Sequence, residues 1–347
     1  MRKLSLLLTL ALVMLMSGCE EHPDLENGLY AEFKTNKGDF IVQFFHEKAP
    51  MTTANFVALA EGKHPEVTDS LKGKPYFDGL TFHRIIDGFM IQGGSPNGKG
   101  NGTPGYQFPN ETSDSLSHDQ KGILSMANSG PDTNGSQFFI TLKPQQRLDG
   151  SYSVFGQVAK HQNIVDSIGK VKTDQRDRPI KDVKIEKLNI IRKGKEARNF
   201  DAVEVFSSEK EAILAEKQKA KEEKMMKFEE MTADFESTSS GLKYKITKKN
   251  PSGKKPQTGQ NVKVHYTGRL LNGKEFDSSK GGAPIDFPIG RGRVIPGWDE
   301  GIMLLREGEK ATLGIPAGLA YGQRGSGPIP PNSPLIFEVE LIEVYDK

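Results

Sequence analysis

No glycine or proline occurs between Gly194 and Gly241, in a chain of 347 residues that carries 37 glycines and 20 prolines. Glycine and proline are the strongest local breaks in regular structure, so this interval has nothing to interrupt a helix, whereas its flanks are cut into short segments. It is rich in Lys, Glu, Ala and Met, which are good helix formers. Residues 194–240 therefore read as a charged helical linker between two turn-rich domains. Ser208-Glu209-Lys210-Glu211 matches a capping box, which sets the expected helix start at Ser208. The apolar residues Ile213, Leu214, Met225, Met226, Phe228 and Met231 keep no heptad, which predicts a solvated spacer rather than a coiled coil. From Ser208 to Thr232 such a helix spans roughly 37 Å, enough to hold two binding sites apart.

The length also exceeds what one hydrophobic core usually organises. The charges, 47 basic against 45 acidic, nearly cancel, which leaves no field that would select nucleic acid and points to other proteins as partners. At the N-terminus, Arg2 and Lys3 precede an apolar run, residues 4–16, too short to cross a bilayer comfortably; residues 1–18 read as a cleaved secretory signal. Leu15-Met16-Ser17-Gly18-Cys19 resembles a bacterial lipobox, which would make Cys19 the acylated first residue of the mature protein; ordinary cleavage near Gly18, leaving an incidental thiol, is the alternative. Cys19 is the only cysteine, so no internal disulfide can form. Residues 19–28 read as a polar tether.

In 29–193, Ala31, Phe33 and Thr35 alternate with charged residues, Asn36-Lys37-Gly38 makes a turn, and a second strand follows at 40–45. Thr52-Thr53 ahead of Phe56, Val57, Leu59 and Ala60, closed by Gly62, predicts a short amphipathic helix. Residues 63–74 read as a charged surface loop, 93–105 and 128–135 as Gly- and Pro-rich loops, and strand patterns return at 136–141, 153–158 and 183–191. Many short strands and few helices predict a closed antiparallel barrel. In 241–347, Val262, Val264 and Tyr266 alternate with Lys263 and His265, Asn272-Gly273 supplies a hairpin turn, and Leu335, Phe337, Val339 and Leu341 alternate with Glu338 and Glu340. The fold class is mainly β with some α.

The segment Phe82-His83-Arg84-Ile85-Ile86-Asp87-Gly88-Phe89-Met90-Ile91-Gln92-Gly93-Gly94, then 122–128 and Asn134-Gly135-Ser136-Gln137-Phe138-Phe139-Ile140, resembles the cyclophilins. That resemblance implies a cyclophilin-like barrel and proline cis-trans isomerase activity. Arg84 would donate to the twisting amide, Phe89, Met90, Phe139 and Leu148 would form the proline pocket, and Gln92, Asn128 and Gln137 would bind substrate backbone. His83 is expected to be a structural hydrogen bonder, since isomerisation abstracts no proton. Where many cyclophilins have a tryptophan that binds cyclosporin this chain has Arg147, and where they have a histidine it has Tyr152, which implies weak cyclosporin binding with activity retained. Residues 93–100 approach a phosphate-binding loop, but Gly100 stands where a Ser or Thr would ligate magnesium and no strong helix follows, so nucleotide binding is not expected.

Val264-His265-Tyr266-Thr267-Gly268, 273–279, Val294-Ile295-Pro296-Gly297-Trp298, Ala320-Tyr321-Gly322 and Ile329-Pro330-Pro331 resemble the FKBPs across 241–347. The resemblance implies an antiparallel sheet wrapped on a short helix, with Tyr266, Phe276, Val294, Ile295, Trp298, Ile329 and Phe337 lining a second proline pocket. Tyr321 would bond the substrate carbonyl and Asp277 would orient the wall. Ile285, where many relatives have phenylalanine, and a shortened 321–329 loop put substrate preference and macrolide binding at this rim in question. Together the two resemblances imply a peptidyl-prolyl isomerase without metal or cofactor. It would act on proline-containing exported proteins as they fold and stand on the lipid bilayer through Cys19, on the outer membrane facing the periplasm. A holdase chaperone, a proline-motif binding module and an anchored scaffold are the alternatives.

Overall fold

The structure is a computed structural model in which residues 22–346 are described; the expected signal sequence and Cys19 lie outside them. The described residues divide into two compact units, the first ending at Lys210 and the second beginning at Glu211.

In the first unit the order is β1 (Gly28–Thr35), β2 (Phe40–Phe44), α1 (Pro50–Ala60), β3 (Arg84–Ile86), β4 (Met90–Gly93), β5 (Ile123–Met126), β6 (Phe138–Thr141), β7 (Val154–Lys160), α2 (Gln162–Ile168), β8 (Ile185–Lys193) and α3 (Gly194–Asn199). The strands form one antiparallel sheet in the order β3-β4-β6-β5-β7-β2-β1-β8. Closure differs from the expectation. The sheet curls, but no ladder joins β3 to β8; the seam carries only the isolated Thr81–Lys184 bridge and single bonds such as Phe82 N–H to the Val183 carbonyl. β3 is three residues long, too short to carry a ladder around the last step, so the sheet is a half-barrel.

Phenylalanine fills the hollow of the curl. Phe56 of α1 stacks on Phe77 at 4.3 Å and meets Phe138 edge-on at 5.4 Å, while Phe33 stacks on Phe40 at 4.7 Å. Such pairs add about 0.5–1.5 kcal/mol each beyond their buried area. Helix α1 is not amphipathic as expected: every residue from Met51 to Ala60 is buried, including Thr52, Thr53 and Asn55. Its first N–H groups are capped from a distance, Met51 and Thr52 donating to the two Glu111 carboxylate oxygens at 3.0 and 2.7 Å. Gly62 ends the helix at φ +69°, and a Cβ there would meet the Lys74 backbone at 2.7 Å, so glycine is required twice over.

Helix α4 (Ala202–Met231) starts six residues before the expected position, and the boundary between the units falls within it. The cap is Asp201, whose Oδ1 accepts from Val203 and Glu204 N–H. Ser208 instead turns its hydroxyl back to the Glu204 carbonyl, as a mid-helix serine does. Asp201 wins because the turn it opens buries Ala202 and Phe206. Residues 214–227 are exposed, Leu214 and Met226 among them, as a spacer should be.

The second unit adds β9 (Glu236–Ser237), β10 (Lys243–Lys248), β11 (Asn261–Leu270), β12 (Glu275–Ser278), β13 (Ile285–Pro288), α5 (Pro296–Met303), β14 (Lys310–Ile315) and β15 (Leu335–Tyr345). The sheet runs β12-β11-β15-β14-β10-β9, with β13 also on β11. The alternation of β15 buries Leu335, Phe337, Val339 and Leu341 on one face. Those residues, with Val262, Val264, Leu313 and Ile315, pack on Trp298 and Ile302 of α5. Proline at the head of that helix fits its first turn, which lacks intrahelical partners for its N–H groups.

Candidate active sites

The first site lies on three neighbouring strands. Arg84 is opposite Gln92 across β3 and β4, and Gln92 is opposite Phe139 across β4 and β6, so the three stand in one transverse row. Met90 lies two residues from Gln92 on the same face of β4. Phe89, half-buried, closes the β3–β4 turn. The Arg84 guanidinium is exposed, with its Nε 3.3 Å from Asp177 Oδ2. Asp177 takes a left-handed backbone, φ 63°, and its carbonyl accepts the Ile85 N–H at 2.8 Å, which ties the carboxylate to the strand that carries Arg84.

Gln92 Nε2 donates to Gln137 Oε1 at 3.1 Å, and Gln137 Nε2 donates to the Gly100 carbonyl at 2.9 Å. The two amides thereby fix each other. Asn128 turns its amide inward, donating to the Ser151 carbonyl at 3.0 Å and accepting from Gly130 N–H. Phe139 is buried, stacked on His118 at 5.8 Å and edge-on to Tyr152 at the same distance. Leu148, half-buried, ends a short 3₁₀ turn, Gln146–Leu148, whose Arg147 lays its guanidinium 5.2 Å over the Phe89 ring. A groove of about 270 Å³ adjoins this row, lined by Gln92, Gln137, Asn128, Thr103, Pro104 and Tyr106 among others.

His83 is buried, which pushes its pKa down to about 4, helped by the Arg84 charge. It is thus neutral near pH 7; the Thr81 main chain and the Gln137 side chain are the polar groups that face it and partly offset the downward shift, an environment that fits a structural residue rather than a base. In the phosphate-loop lookalike, the Gly100 and Gly102 N–H groups point at Ser95 Oγ and that of Lys99 at Asn97 Oδ1. A cradle needs those donors facing outward.

The second site is a box of rings. Trp298 is edge-on to Tyr266 at 5.0 Å and to Phe337 at 5.2 Å, and Phe276 is edge-on to Phe337 at 5.5 Å. Val294, Ile295 and Ile285 pack against the same core, which also buries Ile329. The Tyr266 hydroxyl donates to Asp277 Oδ2 at 2.6 Å, and Asp277 Oδ1 accepts the Ser278 N–H. Burial, then that hydrogen bond and the Asp277 charge, push the Tyr266 phenol up to about 12. Tyr321, 38% exposed, sits at the mouth, its phenol raised by burial and then by Asp277. The Trp298 indole N–H is buried and unpaired among the described residues.

Residues 30–190 match the family model described as cyclophilin type peptidyl-prolyl cis-trans isomerase, and residues 252–342 match FKBP-type peptidyl-prolyl cis-trans isomerase. The first region is 46% identical over 165 residues to peptidyl-prolyl cis-trans isomerase A of Mycobacterium tuberculosis, covering 46% of this chain and 91% of that protein. It is 46% identical over 167 residues to isomerase B of Streptomyces anulatus, covering 46% and 95%. A solved cyclophilin type isomerase from Cryptosporidium parvum is 33% identical, with TM-score 0.43, over 48% of this chain and 98% of that one. The chain belongs to the cyclophilin-type peptidyl-prolyl isomerases. With the FKBP-type region following in order, it is a peptidyl-prolyl cis-trans isomerase that combines two families.

Sequence reading missed several parts of this isomerase. In the cyclophilin-type unit, His118, held by Asp149 at 2.7 Å and Ser125 at 3.0 Å, supports the back of Phe139, and Asp177 holds Arg84. In the FKBP-type unit, Phe287 tilts onto Trp298 at 6.0 Å, and Ser279 Oγ holds both the Tyr266 N–H and His265. None lies beside the residue it supports, and only a fold-level register could have paired them. Among the described residues no cluster of His, Cys, Asp or Glu could hold a metal.

Proposed function

We propose that both units turn over Xaa-Pro bonds in exported proteins, each with the residues placed above. Rotation about the amide costs ~18–20 kcal/mol because resonance is lost, and no covalent bond changes. At the half-rotated state the nitrogen recovers its lone pair and the amide loses charge separation, so a dry pocket with a fixed donor favours that state over either ground state. In the first unit, Phe89, Met90, Phe139, Leu148 and Tyr152 hold the ring, and Arg84 donates toward the twisting amide. Gln92, Gln137 and the main chain of Asn128 hold the flanking backbone. What carries this reading is the single row Arg84, Gln92, Phe139, which sets a cation, an amide and an apolar wall side by side. In the second unit Tyr266, Phe276, Val294, Ile295, Trp298, Ile329 and Phe337 enclose the ring, Asp277 fixes the wall through Tyr266, and Tyr321 donates to the substrate carbonyl. A macrolide would compete there.

Exchange spectroscopy on an Xaa-Pro peptide tests this with the full chain, Arg84→Ala, Asp277→Ala and the double variant. Loss of a fixed transition-state donor costs about 10²–10³ in rate, so Arg84→Ala should leave little beyond the second unit's share; Asp277→Ala, which only frees the Tyr266 hydroxyl, should cut that share by about tenfold, and the double variant should fall furthest. Full activity in the double variant overturns the assignment.

The lipobox-like sequence, the polar tether and the lone Cys19 support an anchored lipoprotein on the outer membrane facing the periplasm. Among the described residues no helix is long and apolar enough to cross a membrane. Cys19→Ser should move the protein from the membrane to the soluble fraction; retention in the membrane would exclude the anchor. The exposed Leu214, Met225, Met226 and Met231 favour a second reading, in which α4 holds unfolded chains and turnover is incidental. Equal protection of a proline-free substrate from aggregation would select it.

A further inference from the structure

Helix α4 and the loop 63–74 lie outside the row that performs the chemistry, yet both are built against the back of the groove beside it. Phe206 of α4 is fully buried. Its ring is tilted onto His64 at 4.5 Å and edge-on to Tyr106 at 6.1 Å and Phe108 at 5.8 Å. His64 in turn stacks flat on Tyr106 at 4.2 Å, and the Tyr106 hydroxyl donates to Asn55 Oδ1 of the buried helix α1. Tyr106 and its neighbours Thr103 and Pro104 form one wall of the groove next to Gln92 and Gln137. Phe108 pairs its N–H and carbonyl with Asn134, which follows directly on the groove-lining residues Asn128, Ser129 and Thr133.

The loop adds a second layer. Thr68 N–H donates to the Pro104 carbonyl at 3.1 Å, and a Cβ at Gly105 would strike the Thr68 side chain at 2.4 Å, so loop and wall are in contact. Lys210, one turn beyond Phe206, holds both Glu66 oxygens at 2.8 and 2.6 Å and lays its ammonium 5.5 Å from the Phe206 ring. The region matching the cyclophilin model ends at residue 190, before Phe206 and Lys210.

We propose that Phe206 and the loop 63–74 are a specificity-determining buttress for the first active site. The opening turns of the connecting helix hold the Thr103–Tyr106 wall in place, and through it set the affinity for substrate residues that flank the proline. Phe206 touches no reacting atom and is a positioning residue. The proposal rests on the first site binding substrate as argued above.

The test uses the full chain carrying Asp277→Ala, so that the first site dominates, and two probes: a blocked tetrapeptide with proline third, long enough to enter the groove, and a blocked Xaa-Pro dipeptide that is not. Phe206→Ala should weaken the tetrapeptide about tenfold in an amide-shift titration, leave dipeptide affinity within about twofold and leave the exchange rate at saturation nearly unchanged. Phe206→Leu should recover most of the loss. Equal weakening of both peptides, or none for the tetrapeptide, overturns the proposal. Should Phe206→Ala fail to fold, Glu66→Gln, which only cuts the Lys210 pair, should shift tetrapeptide affinity in the same direction by about twofold; no shift counts against it. An Arg84→Ala control that stays fully active would sink the site assignment itself rather than the buttress.

Discussion

The two candidate sites of one chain are made by opposite means. In the cyclophilin-type unit, the polar residues stand on strands and are held by other polar residues, Arg84 by Asp177, Gln92 by Gln137 and Gln137 by Gly100. In the FKBP-type unit the floor and walls are rings packed edge to face, and the fixed polar contact is Tyr266 with Asp277. The first is expected to work by aiming a charged donor, the second by the shape of a dry box. The same torsional barrier thus admits two solutions, because it asks only for preferential binding of a half-rotated amide.

The units also bury different titratable groups, and the largest effect that could break the comparison is acid stability. Burial depresses His64 to about 3 and His83 to about 4, and also lowers His118; all three belong to the first unit. A histidine kept neutral in the fold contributes stability that is present above its unfolded pKa near 6.5 and lost as pH falls toward the folded value. Each contributes about 1.4 kcal/mol per pH unit across its window. Glu111, raised by burial, acts in the opposite sense and flattens the limb near its own titration. Amide exchange followed from pH 7 to 4 should therefore show the first unit losing protection before the second, with a shallower slope in His64→Phe. Parallel loss in both units would erase the distinction.

A smaller effect sharpens it. Tyr266→Phe keeps the ring and removes the hydroxyl bonded to Asp277, so second-unit turnover should fall by less than about tenfold, a hydrogen-bond-sized loss. A fall as large as that of Arg84→Ala would mean that the box, too, works through a fixed polar group.

Much of this was legible in the chain because motif and periodicity agreed. Val262 and Val264, and Phe337 and Val339, alternate inward as read, and Asn272-Gly273 makes its hairpin with Gly273 at φ +84°. Three features were not legible, each for a tertiary reason. The curl stops short of a closed ladder because β3 is too brief. Helix α1 reads as amphipathic through Thr52 and Thr53, yet it is the plug of the hollow and is buried all round. Asp201 and Ser208 both open with capping chemistry, and only the socket for Phe206 decides between them.

Trp298 is the chain's sole tryptophan, and it lies edge-on to Tyr266 and Phe337 at the heart of the proposed second site. Indole emission from the intact protein therefore originates at one place, and a quench or blue shift on adding a peptide reports occupancy of that site alone. The first unit holds no tryptophan, so the molecule carries its own meter for the second unit by itself.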